Sequence, residues 1–573
     1  MTSSRGVLSS AKLIAVCTLI SRVTGLVRDV LLTRALGASW VQDAFSYGFQ
    51  IPNLFRRLFG EGSMAPVFVP TFTRTIEHEG TDAAWGLLAR TNSLLTVTLV
   101  ALALLIEVVI AAIWLLATPT SPEQAEARRL LLALTALMLP FMVSICILAL
   151  WSSILNCVGS FVPAALASLI LNFSMIAGIL WLGPALGATP RAQAYGIALS
   201  VLIAGGLQLI YLLPALRAAG VPLRWLWSPQ SPDVLRMLRL LPPVALGQGV
   251  LVFGVFLDAN ICTFLTHVGG APVSGHFLGI EFTYPLQEGA LSVITIAQRL
   301  YQFPLGVLAI SLATAALPAF SRAAARQEWR GWSGEVRRML RLAIFEGLLA
   351  GSLMVVLAEP IVRLLFEYGQ FTARDTPRAA HVLTWYGVGL WAFCAQHIVS
   401  RGFYSLGDVR TPLAISCWFV PVNLAMSLVL VWFEGVREAA FAISSSVTAA
   451  ASVIAGALLL ARRSGAQILD GAAWGALARM AGAGIFAALI VRLLRPLAIA
   501  PIASTIHAAL ASRAADTLTS LALGAAVFLL LAWVMRLPEV GFLLGRRQGK
   551  PAGAPIDSET ASVSESRPPT PGG

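Results

Sequence analysis

Charged side chains inside long apolar runs are where this sequence could do chemistry. The run 10–36 carries Arg22, Arg28 and Asp29. The next begins near Asp43 and holds Asn53, Arg56, Arg57 and Glu61, and a later one places Arg299 in "AQRLYQFPLG". An arginine at the centre of a membrane span costs about 2.5–3.5 kcal/mol on insertion scales. Several at that depth therefore imply a wet, protein-enclosed cavity instead of lipid. A planar guanidinium pairs with two oxygens at once, so such a cavity suits an anion with paired oxygens, a phosphate or a pyrophosphate. Asn53, Arg57 and Glu61 fall at i, i+4 and i+8, one stripe of a helix, which ties Arg57 to its neighbours and turns Arg56 toward the cavity. Structural ion pairs fit Arg28–Asp29 and Arg57–Glu61 equally well, and Arg34, near a span end, fits snorkelling. Arg299 has no acid within one turn on either side, which favours the ligand reading there.

The elements that must position these residues are membrane helices. Of the 573 residues 57% are hydrophobic and 12% charged, half the charge of an ordinary soluble domain at about 25%. Runs such as 92–106, 164–190, 411–433 and 439–461 suit helices crossing a hydrocarbon core, which takes roughly 20 residues. The pattern predicts an all-α polytopic membrane protein of about fourteen spans, the second at 41–73, the seventh at 236–266 and the eighth at 280–320. No run shows the ~10-residue alternation of a membrane β-barrel. "LIAVCTLI" resembles a signal peptide core, but "SRVTGLVRDV" follows where a cleavage site would stand, so it reads as a retained first span. Net charge is +12, carried almost wholly by arginine. Its bias toward alternate loops places both termini in the cytoplasm and explains the charge without nucleic acid. Six scattered cysteines without CxxC spacing read as small buried hydrophobes.

An internal repeat orders the spans. "PTFTR" at 70–74 returns as "PAFSR" at 318–322, and "VPAALA" at 162–167 as "TPLAIS" at 411–416, shifts of 248 and 249 that agree. A shift across six helices preserves topology, so the halves are parallel repeats, a transporter layout with the substrate site between them. The expected organisation is an N-terminal lobe over 1–220, a C-terminal lobe over 221–465, two additional helices over 466–540 and a disordered cytoplasmic tail over 541–573. Neither lysine, Lys12 or Lys550, is followed by Ser or Thr, so no Walker A motif is present. The six histidines show no metal-ligand spacing such as HExxH. Trp-rich stretches at 225–227 and 329–332 flank basic residues and read as interfacial anchors.

"SRVTGLVRD", "PNLFRRLFGEG" and "FVPTF", followed by "RLYQFPLGVL", "LFEYGQFTARDT" and "RGFYSLGDVRTP", resemble in order the signature segments of the MurJ (MviN) family of bacterial lipid II flippases. The matches run from about 21 to 423. The resemblance implies two six-helix lobes plus two C-terminal helices that help form a groove for the polyprenyl tail, in the superfamily of multidrug, oligosaccharidyl-lipid and polysaccharide exporters. It implies an inner-membrane transporter without covalent catalysis or cofactor. Lipid II, the undecaprenyl-pyrophosphate-linked disaccharide peptide, would cross by alternating access, with membrane lipids and cell-wall synthesis proteins as further partners. Arg22, Arg28, Arg56 and Arg299 would face the pyrophosphate, with Asp43 as an associated acid and Asn53, Arg57 and Glu61 in support. The chain departs from the family pattern at Gln298 and Gln302, where acids are common, and at Gln50, where lysine is common. Coupling would use membrane potential or a monovalent cation gradient; Asp258, alone in the seventh span, is a weak candidate for it. Two other readings stay open: export of another polyprenyl-linked glycan, and a non-transporting scaffold for cell-wall enzymes.

Overall fold

The computed structural model describes residues 4–58, 65–116, 121–232, 252–269, 274–277, 280–465, 471–499 and 509–543, with isolated positions 235, 239 and 468. Backbone groups in a hydrocarbon layer must be satisfied within the chain, and helices do this segment by segment. Helix α1 (Ser4–Leu36) leads through a short turn to α2 (Trp40–Phe55), with Ser39 as its N-cap. There follow α3 (Ala65–Glu79), α4 (Thr81–Leu116), α5 (Pro122–Met138), α6 (Phe141–Cys157), α7 (Val162–Ala177), α8 (Gly183–Leu186) and α9 (Pro190–Ala218). The second half contains α10 (Val252–Phe264), α11 (Ala290–Pro304), α12 (Ile310–Ala325), α13 (Trp329–Phe366), α14 (Asp375–Ser405), α15 (Arg410–Leu430) and α16 (Ala439–Ser464). Helices α17 (Gly471–Leu494) and α18 (Ala509–Val534) pack on α13, and the short α19 (Pro538–Leu543) closes the described chain.

Among the described residues eleven helical segments are long and apolar enough to span a membrane. The first, second and seventh expected spans fall outside that set: α1 carries internal charges, the second is described only as α2 and α3 with the residues between them outside the described ones, and the seventh is described continuously only from Val252. The expected eighth span starts ten residues late. Two short strands pair antiparallel instead, β1 (Ser274–Phe277) against β2 (Ile280–Thr283), with His276 opposite Glu281. Alternating "IEFTY" is a strand pattern, and Pro285 and Gly289 keep the chain out of a helix until Ala290. Helical character otherwise dominates, as expected.

Two separate cores form. One gathers buried side chains from Leu32 to Val221, the other from Ala259 to Val540. Among the described residues π-helical geometry begins at 56, 178, 305 and 495, and the first and third of these are 249 positions apart, the expected repeat shift. Single π-turns in helices mark places where a helix changes direction around a site. The lobes meet along α1, α2, α10 and α11. At the end of the bundle formed by the α1–α2 turn, termed the outer end after the expectation of cytoplasmic termini, Gln370 N–H donates to Arg34 O (3.0 Å). Deeper in, Tyr47 donates to Asn260 Oδ1 (2.7 Å) and Gln50 Nε2 to Val255 O (3.4 Å).

Candidate functional site

Between the lobes lies a cavity of about 150 Å³. Arg28, Asp29 and Arg57 line it from the first lobe, and Thr295, Gln298 and Arg299 from the second. Helix α1 brings Arg28 and Asp29 to adjacent positions, and α7 supplies what holds them. Arg28 donates through Nε (2.9 Å) and Nη2 (2.7 Å) to Asp29 Oδ1, and through Nη1 to Asn172 Oδ1 (3.0 Å). Asn172 is itself aimed by its Nδ2 bonds to Ser21 O (3.1 Å) and Thr24 Oγ1 (3.2 Å). Arg28 is thus buried with its charge answered, as burial demands.

The other oxygen of Asp29 faces the opposite lobe. Arg299 Nε lies 2.8 Å from Asp29 Oδ2, an ion-pair distance. Yet Oδ2 is buried without an aligned hydrogen-bond donor. The contact is therefore Coulombic and poorly directed. Arg299 does have an acid partner, contrary to the expectation from its own helix, because the acid comes from 270 residues earlier on the other lobe. One-turn reasoning along α11 cannot see it.

The division of labour expected at 56 and 57 is reversed. Arg57 lines the cavity, and Arg56 Nε donates back to Asn53 Oδ1 at 2.9 Å. The i, i+4, i+8 stripe presumes an α-helix through 61, but α2 gives way at Phe55 and residues 56–58 are π-helical, which rotates both arginines. Asn53 also lines the cavity, while Glu61 lies outside the described residues. The glutamines that replace charged residues of the family pattern all line the cavity. Gln298 donates to Tyr386 Oη (3.1 Å), whose ring stacks on Tyr301. The polar wall is therefore largely built from neutral groups plus three guanidiniums and one carboxylate.

Arg22 does not line the cavity; it closes an interlobe contact beyond it. A Cβ at Gly306 would stand 1.7 Å from Arg22 Nη1, so the guanidinium rests on the bare backbone of the 305–309 π-turn. A residue with a side chain there would displace it.

At the outer end the lobes are locked by one carboxylate. Asp43 Oδ2 accepts from Gly289 N–H (2.8 Å), and Oδ1 accepts from Ser292 N–H (2.8 Å) and Ser292 Oγ–H (2.6 Å). Asp43 thereby caps α11 across the lobe boundary, satisfying amides that its helix start leaves without partners. Asp43 and Ser292 are 249 residues apart, the repeat shift itself, so the lock joins equivalent positions of the two halves. Gly289 takes φ +81°, and a Cβ there would stand 2.1 Å from Ala38 O of the first lobe. Ser292 and Gly289 were not singled out in the sequence; the repeat shift applied to Asp43 points to Ser292.

Asp258 sits apart in the second lobe, where Asn423 Nδ2 donates to its Oδ2 (3.2 Å) and Oδ1 (3.4 Å). Asn423 Oδ1 is buried without a hydrogen-bond partner. Among the described residues no group of three or more His, Cys, Asp or Glu could hold a metal ion.

Residues 32–510 match the family model described as "Lipid II flippase MurJ". A probable lipid II flippase MurJ of Rhizobium tropici is 32% identical over 438 residues, covering 75% of this chain and 76% of the relative. The lipid II flippase MurJ of Burkholderia cenocepacia is 32% identical over 424 residues, covering 72% and 76%. In fold the chain is similar to a lipid II flippase MurJ in an inward closed conformation, with a TM-score of 0.70 at 20% identity over 91% of this chain and 98% of that one. An inward-facing multidrug resistance transporter of the MATE family gives a TM-score of 0.59 at 16% identity over 78% and 94%.

Proposed function

The chain belongs to the MurJ family of lipid II flippases, and from that premise we propose that it carries lipid II across the bacterial inner membrane by alternating access. The observation that carries the reading is the interlobe cavity with three guanidiniums against one carboxylate. Its net charge of +2 matches the roughly two negative charges of a pyrophosphate diester, which planar guanidiniums bind in bidentate fashion. Asp29 holds Arg28 and Arg299 until the diphosphate arrives. The poorly aligned Asp29–Arg299 contact is the one a better-placed phosphate oxygen displaces most easily. No covalent bond is made or broken.

A cavity of about 150 Å³ is far too small for a disaccharide peptide, so loading requires the inner mouth to open while the Asp43 lock keeps the outer end shut. Lifting Arg22 from Gly306 is the first step of that opening. Release requires the reverse: the inner contact re-forms and Asp43 lets go of α11. Both termini face the cytoplasm in this scheme, with α17 and α18 beside the path of the polyprenyl tail. For coupling, Asp258 with the unsatisfied Asn423 Oδ1 offers two oxygens suited to a monovalent cation or a proton.

The reading is tested by expressing the gene in cells depleted of their own lipid II flippase and by following labelled lipid II in proteoliposomes. Rescue and flipping are expected. Transport of another polyprenyl-linked glycan with no movement of lipid II would overturn the substrate, and no transport of either would leave the scaffold reading standing.

A further inference from the structure

The outer lock needs a rigid surface to close on, and one peptide group supplies half of it. The N–H of Gly289 that donates to Asp43 belongs to the same planar unit as the carbonyl of Glu288. That carbonyl is held from the other side: Arg378, in the first turn of α14, donates from Nη1 to Glu288 O (3.1 Å), and its Nη2 reaches Gln287 O (3.5 Å). The remaining edge of the guanidinium grips Glu438, with Nε at 3.0 Å and Nη2 at 2.6 Å from Oε1. Asp375 stands 3.9 Å from Nη1. Glu438 is buried and immediately precedes α16, so the fork is fixed to the second lobe before it meets the turn.

We propose that Arg378 is a positioning residue for transport, which orients and polarises the Glu288–Gly289 peptide so that its N–H closes on Asp43 of the opposite lobe. A cation on the carbonyl side strengthens the amide as a donor to an anion on the other, because chained hydrogen bonds polarise one another. The planar fork matters as well as the charge. Lysine in its place could reach Glu438 or one carbonyl, but it lacks the geometry to hold all of them. An ion pair serving stability alone would need Glu438 and nothing from the turn.

The inference rests on the alternating-access reading, so its test avoids lipid II. Ser46 lines the cavity on α2. A Ser46→Cys chain with its six native cysteines replaced is labelled by an impermeant maleimide from each side of the membrane. Arg378→Ala should raise outer-side labelling about tenfold, the loss of one or two charge-assisted hydrogen bonds. Asp43→Asn should do the same, and the double variant should label no faster than either single one, since both break one chain of contacts. Arg378→Lys should fall between. Arg378 and Glu438 both line a cavity of about 240 Å³, and Arg378→Lys, which keeps a cation beside the buried Glu438, carries the test where the alanine variant does not fold. Arg191→Ala, which removes the Arg191–Glu126 pair at the same end, is the control and should change nothing. Wild-type labelling of Arg378→Ala beside a raised Asp43→Asn rate overturns the positioning role, as do effects that multiply in the double variant. Unchanged labelling in both singles overturns the outer lock itself.

Discussion

Two acids of the first lobe reach the second, and they do so in opposite ways. Asp43 is 7% exposed and accepts three well-formed hydrogen bonds from neutral donors. Asp29 meets Arg299, whose side chain is 41% exposed, by charge alone, with its oxygen lacking an aligned donor. A fully satisfied buried carboxylate is a lock, since breaking it leaves costly orphans. An under-satisfied ion pair at a wet site is a placeholder, because a better partner displaces it at little cost. On the proposed transport cycle, this contrast makes the Asp43 end the holding end and the cavity the place of exchange.

The largest test of that contrast is Arg299→Ala, which removes a fork from the exchange side. Flipping of labelled lipid II is expected to fall about 100-fold, the loss of two charge-assisted bonds. Retention of most activity would mean that Arg299 serves the ion pair and not the ligand. Next comes Asp43→Asn, whose amide points N–H groups at N–H donors. Outer-side accessibility of the cavity should rise about tenfold, with thermal stability lowered by about 2 kcal/mol; an outer end still sealed would contradict the lock. A smaller change is expected from Asp29→Asn. It frees Arg28 and Arg299, so a soluble pyrophosphate diester should bind a few-fold tighter while turnover slows. Weaker binding would show that Asp29 organises the arginines and does not compete for them.

The smallest effect lies outside the lobe interface. Asp408, between α14 and α15, accepts from the N–H groups of Arg410 (3.1 Å) and Thr411 (3.0 Å) and pairs with Arg463. Burial pushes its carboxyl up, but the Thr411 bonds and the Arg463 charge outweigh this and hold it below the usual range. A depressed folded-state value means its contribution is complete above the unfolded value near 4 and is lost as pH falls through the lower folded one. Asp408→Ala should therefore cost about 1 kcal/mol of stability, equally at pH 5 and pH 8, with flipping unchanged. A penalty that appeared only at pH 8 would contradict this.

Much of the architecture was legible in residues. Charge scarcity and run length gave membrane helices, and "PTFTR" with "PAFSR" exposed the repeat whose shift now joins Asp43 to Ser292. Arg28 and Arg299 were legible as cavity groups because charge at membrane depth needs a reason. The roles of Arg56 and Arg57 were not, since a π-turn at 56–58 rotates side chains without leaving a periodic trace. The pairing of β1 with β2 was not legible either, because two four-residue strands are too short for their alternation to stand out beside the apolar run that follows.

What the sequence by itself determined is therefore local and compositional: where the chain is helical, where it is punctuated, which residues are too costly to face lipid, and which family it resembles. Only the tertiary structure decided partnership. Asp29 finds Arg299, Arg22 finds Gly306, and Arg378 finds the peptide that Asp43 grips from the other side. Those pairs are separated by tens to hundreds of residues and lie on different helices. Their meeting depends on the packing of α1 and α2 against α10 and α11, which no period within one helix encodes.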